Sequence, residues 1–145
     1  MIPSGVTVTT SDPALAPANF TIVFASETAS SAVVLASGST LEGVSIDAGG
    51  GNPAASALSC TAASGAARPV IRSVDLLGAR TRNAAIKPAV GLALGRTAAA
   101  GCTATISHTR VLAFATGIAV DTGGADPITI SDSSVEDAGG GDAGA

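Results

Sequence analysis

The stretch Ile106-Ser-His-Thr-Arg-Val-Leu-Ala113 decides the reading of this chain. A β-branched apolar residue opens it, four polar residues follow, and Val111 restores the apolar character. A looser form of the same frame recurs at Leu41-Glu-Gly-Val-Ser-Ile46, Ile71-Arg-Ser-Val-Asp-Leu76 and Ile130-Ser-Asp-Ser-Ser-Val135. The apolar pair stands five residues apart each time, while successive copies begin 30, 35 and 24 residues apart. A constant core pattern joined by loops of variable length is the signature of a repeat architecture.

A second kind of short apolar run lies between these copies: Ser56-Ala-Leu-Ser-Cys60, Val90-Gly-Leu-Ala-Leu94 and Thr116-Gly-Ile-Ala-Val120. With Leu58, Leu92 and Ile118 in register, the next main pattern follows after 13, 14 and 12 residues. The repeating unit therefore reads as two short strands per turn of a larger coil. The main pattern bends at its third position, Gly43, Ser73, His108 or Asp132, and then resumes. A strand of five residues cannot bury its inner face alone, and stacked coils solve this together. Residues 41, 71, 106 and 130 are expected to form one inward ladder, and 46, 76, 111 and 135 another. Residues 5–24, with strands read at 5–10 and 20–24, add a first coil. About five coils spaced about 4.8 Å apart give a stack about 24 Å tall.

Composition supports a thin core of this kind. The chain of 145 residues is 46% apolar but only 2% aromatic, with three Phe and no Tyr or Trp. Large aromatics bury the most area per residue and normally fill the cores of globular enzymes. Small and branched side chains between Gly, Ser and Thr suit strands instead. The net charge of −4 and the single lysine, Lys87, leave no basic footprint for nucleic acid. No apolar run approaches the length of a membrane-spanning helix, and no basic-then-apolar leader opens the chain. Residues 1–138 read as one domain, and the Gly-rich stretch 139–145 as a flexible tail. Cys60 and Cys102 leave two readings open, a pair of buried thiols or a disulfide in an exported protein. With one His and two Cys, no metal site and no cofactor is expected.

Three features carry a resemblance. Ile2-Pro-Ser-Gly-Val-Thr-Val8 looks like the opening coil, and Ser39-Thr-Leu-Glu-Gly-Val-Ser-Ile46 like the following coil, of a right-handed parallel β-helix. Pro69-Val-Ile71, and Gly117-Ile-Ala-Val120 with Pro127-Ile-Thr-Ile130, look like its general repeat. Over about residues 2–138 the chain resembles the pectate-lyase-like superfamily. Members often place Asn at the bend, where this chain has Ser73-Val74, His108-Thr109 and Asp132-Ser133. The nonapeptide calcium repeat of other β-helices is also missing, apart from a partial match at Gly123-Gly-Ala-Asp126.

The resemblance implies a polysaccharide-binding or polysaccharide-cleaving surface on one outer strand face. The matching outer positions are Ser45, Asp75, Arg110 and Ser134, with Asp75 and Arg110 on adjacent rungs. His108 and Asp132 fall in register at the bend, and Asp47, Glu136 and Asp137 extend the same region. The candidates Asp75, Arg110, His108 and Asp132 read first as surface ion pairs and bend contacts. The residue types suit acid–base work only if they line a groove. The start Thr7-Val-Thr-Thr10 raises an ice-binding threonine array, against which later coils place Ser, Asp or Arg.

Neither end shows an amphipathic capping helix, and a bare terminal coil exposes unpaired backbone and apolar rungs. The expectation is a non-catalytic structural β-solenoid, exported or at a cell surface, that associates with copies of itself through its ends. A carbohydrate-binding or carbohydrate-cleaving β-helix is the alternative.

Overall fold

The computed structural model describes residues 1–10, 20–61, 67–78, 88–94, 104–120 and 128–136. Within them the chain winds through three parallel sheets. The first holds β1 (Thr7–Thr9), β4 (Thr40–Glu42), β7 (Val70–Arg72), β10 (Thr105–Ser107) and β13 (Thr129–Ser131). The second holds β2 (Thr21–Val23), β5 (Ser45–Asp47), β8 (Asp75–Leu77), β11 (Arg110–Leu112) and β14 (Ser134–Glu136). The third holds β3 (Ser31–Ala36), β6 (Ser56–Thr61), β9 (Val90–Leu94) and β12 (Thr116–Val120). Each passage through the first, second and third sheets is one coil, so the described residues form an all-β parallel β-helix of four full coils and the first two strands of a fifth.

The expected ladders are present in register. Val8, Leu41, Ile71, Ile106 and Ile130 align through the first sheet. Ile22, Ile46, Leu76, Val111 and Val135 align through the second. The middle rungs Leu41, Ile46, Ile71, Leu76 and Ile106 are fully buried. Leu58, Leu92 and Ile118 align in the third sheet as their spacing implied.

The count of strands per coil is three, not two. The main pattern breaks at its third residue into two strands on different sheets, because that residue takes the left-handed conformation. Gly43 has φ 69°, Ser73 53°, His108 49° and Asp132 47°. Hydrogen bonding continues across the corner. Gly43, Ser73 and His108 donate their N–H to Arg72, Ser107 and Ser131 of the coil above. Two residues on, Ser45, Asp75 and Arg110 donate to Phe20, Val44 and Val74 of the coil below. The backbone donors on either side of the corner are thus paired to the neighbouring coils.

The strands read at 5–10 and 20–24 contract to β1 and β2. Ile2 makes a single bridge to Leu35. The third sheet carries Ser31, Ser56 and Ser59 but is apolar on both faces at β9, where every residue is buried, the pattern of a strand covered on two faces. Gly91 and Gly117 let it approach the second sheet, since a Cβ at either would collide with the Cγ1 of Val111 or Val135. Among the described residues no helix is long and apolar enough to cross a membrane. The tail 139–145, Asp137, Lys87 and the partial calcium repeat at 123–126 lie outside the described residues.

Candidate functional site

Charged side chains gather at the corner between the first and second sheets, because both strands meeting there are three residues long. The last outer residue of one strand, the bend residue and the first outer residue of the next all project from the same edge. Parallel stacking then repeats these positions on successive coils, except that Gly43 and Ser45 are buried on the second.

Three pairs climb this corner, each joining a coil to the one above. Arg72 binds Glu42 through two hydrogen bonds, Nε–Oε1 at 2.9 Å and Nη2–Oε2 at 3.0 Å. These bonds and the charge of Glu42 raise the Arg72 pKa above its ordinary value. Arg110 Nη2 lies 3.4 Å from Asp75 Oδ2, with Asp75 the less exposed partner. His108 Nε2 lies 4.0 Å from Asp132 Oδ2, and both side chains are mostly exposed. The structure therefore brings Asp75 to Arg110 and His108 to Asp132, as their registers implied. Glu42–Arg72 escaped the sequence reading, although the alignment of Leu41 with Ile71 already placed the following residues on adjacent rungs.

His108, Thr109, Arg110, Asp132, Ser133 and Ser134 line one open depression of about 460 Å³. Its hydroxyls are already engaged. Thr109 Oγ1 donates to Ser107 O at 3.0 Å, and Ser133 Oγ donates to Ser131 O at 2.7 Å while accepting from Thr109 N. Ser134 Oγ donates to Glu136 at 3.2 Å. An activated nucleophile aims its proton at a base; the protons of Thr109 and Ser133 go to backbone carbonyls, and that of Ser134 to the carboxylate of Glu136. Among the described residues no three His, Cys, Asp or Glu side chains converge as metal ligands.

Ser45 corrects the expectation of an outer position in contact with solvent. It pairs with Asp75 and Thr21 across the second sheet but is fully buried, and its Oγ has no hydrogen-bond partner among the described residues. The outer face of the first sheet carries Thr7, Thr40, Val70, Thr105 and Thr129 in one file. The neighbouring file, Thr9, Glu42, Arg72, Ser107 and Ser131, is interrupted by the ion pair, so no regular double array of threonines forms. Cys60 is buried and disulfide-bonded, and Cys102, the only other cysteine of the sequence, lies outside the described residues.

No protein-family model, no curated protein and no solved structure matches the chain.

Proposed function

We propose that this chain is a non-catalytic structural β-solenoid that works through its ends, associating coil on coil with copies of itself. The observation that carries the reading is the exposure of the last rungs. Ile130 is 45%, Val135 46% and Val120 51% exposed, whereas their counterparts one coil below, Ile106, Val111 and Leu94, are buried. At the other end Ile22 of β2 is exposed as well. These are inward positions of a continuous ladder, and among the described residues β13, β14, β1 and β2 have a paired strand on one side only. Open edges of this kind pair with further strands. The bonded state of Cys60 supports an oxidising compartment, outside the cytosol.

Light scattering over a concentration series, with electron microscopy of the same samples, tests this. Growth in mass with concentration, abolished by Ile130→Asp and Val135→Asp, is the expected result. A monomer at every concentration overturns it.

One observation favours a second reading, a polysaccharide-binding surface of the pectate-lyase-like kind. The depression beside His108 and Arg110 offers a cation, an imidazole and a carboxylate on one rim. The absence of Tyr and Trp denies a sugar ring its usual stacking partner. Titration with acidic and neutral oligosaccharides, repeated with Arg110→Ala, decides it: binding to the native chain that the variant loses supports the reading.

A further inference from the structure

We infer that Cys60 is bonded to Cys102, and that this disulfide is a clasp closing one complete coil of the solenoid into a covalent ring. The inference does not depend on association through the ends. Cys60 is disulfide-bonded, and the sequence holds one other cysteine, Cys102. A second copy cannot reach Cys60. It occupies an inward position of the third sheet, in register with the fully buried Leu35, is 4% exposed and belongs to the central apolar cluster. Its partner therefore comes from the same chain. Cys102 precedes Ala104 by two residues, and Ala104 is fully buried in the same cluster. Two residues of chain span at most about 7 Å, so Cys102 stays close to that core.

What the bond encloses follows from the order of strands. Among the described residues, the strands lying wholly within 61–101 are β7, β8 and β9. They are one passage through the first, second and third sheets, the third coil of the stack. Cys60 lies at the end of β6, which completes the coil below, and Cys102 comes shortly before β10, which opens the coil above. The enclosed interval is also the longest. The main pattern recurs 35 residues after Ile71, against 30 and 24 residues for the other two intervals. Closure entropy rises with loop length. A bond across the ends of the loop removes that entropy from the opened chain.

The consequence is directional. Opening begins at the elements with the fewest buried contacts, and β13 and β14 are exposed along their length. They open without touching the ring. When opening reaches the third coil, the bond keeps both ends of that coil tied, and the opened state stays poor in entropy. Reduction removes the tie. A dithiol attacks the bond, supplies two electrons and two protons, leaves as its own cyclic disulfide, and converts Cys60 and Cys102 to thiols. The third coil of the reduced chain then opens on the order of 10²–10³-fold more often, the ring-closure effect for a loop of this size. The clasp makes the middle of the stack sensitive to reduction and leaves its upper strands indifferent to it.

Peptide mapping and hydrogen exchange on the full chain test the clasp. Free thiols are blocked under denaturing conditions without reductant, and the chain is cut with trypsin. Cleavage after Arg96 and Arg110 leaves Cys102 in residues 97–110, and Cys60 stays in residues 1–72 because Arg68 is followed by Pro69. The expected product links these two fragments and comes from a chain of monomer mass. Exchange is then compared between the oxidised chain and the chain reduced by a dithiol in mild urea and returned to buffer. The expected result is faster exchange in β7, β8 and β9, by up to roughly 10²–10³-fold, with β13 and β14 unchanged. Cys102→Ala, which leaves the buried Cys60 in place, is expected to reproduce the reduced pattern. Blocked thiols at both cysteines, or a bond between two chains, overturn the pairing. An unchanged pattern after full reduction, or an equal loss of protection in every strand, overturns the clasp on one coil.

Discussion

Ser73, His108 and Asp132 turn the chain at a residue type that resists the turn. A left-handed conformation costs an ordinary L-residue about 1–2 kcal/mol, and glycine escapes this cost. Glycine in turn loses about 0.5–1 kcal/mol through its greater freedom when unfolded. Ser73→Gly is therefore expected to hold or raise stability, by up to about 1 kcal/mol by the same balance. Ser73→Val, with a branched Cβ at positive φ, is expected to lower it by more than the glycine gains, and thermal melts of the two variants give the sign. Ser45 poses the converse problem, since its hydroxyl is buried and has no hydrogen-bond partner among the described residues. A buried polar group left unmade costs about 1–3 kcal/mol. Ser45→Ala is expected to stabilise the fold by about 1 kcal/mol on that ground; a lower midpoint in denaturant would mean that the hydroxyl has a bonded partner.

Strands of three residues hold together only as members of ladders, and the ladders were legible because an inward residue must be apolar on every coil. The five-residue gap between Leu41 and Ile46, or Ile106 and Val111, is the width of two short strands and the corner between them. The corner itself was visible as a bend, but its division of the strand was not, because Ser, His and Asp mark left-handed backbone far less sharply than Gly does. Ser45 was misplaced for a related reason. Alternation puts it outside the helix, and nothing in the local sequence says that this outer face is covered. The glycines of the third sheet were visible as a repeated second position without a cause. Their cause is contact with the second sheet, which yields a graded prediction. Gly91→Ala forces a methyl against Val111, which is buried, whereas Gly117→Ala meets Val135, which is half exposed and free to shift. The first is expected to cost about 1–3 kcal/mol, the range for overpacked cores, and the second less. Equal losses in urea unfolding would place both glycines in equally rigid surroundings. Ion pairs at the corner act on a smaller scale: a double-mutant cycle on Asp75 and Arg110 is expected to return about 0.2–1 kcal/mol, decreasing with salt.

Over the whole molecule, each coil touches only its neighbours, so stability is distributed along the axis rather than held in one centre. The central rungs at Leu41, Ile71 and Ile106 are enclosed by coils on both sides, while β13 and β14 have a neighbour on one side and are exposed along their length. Local opening draws on the elements with the fewest buried contacts. Hydrogen exchange on the dilute chain is therefore expected to grade along the stack, slowest in β7, β8 and β10 and fastest in β13 and β14. Uniform protection from end to end would instead describe a single cooperative unit. Raising the concentration separates this gradient from assembly. If the ends join, protection rises at β13 and β14 and at β1 and β2 together, while the central strands, already closed on both sides, exchange as before. A gain confined to one end would instead describe a contact between like ends, which stops at a dimer.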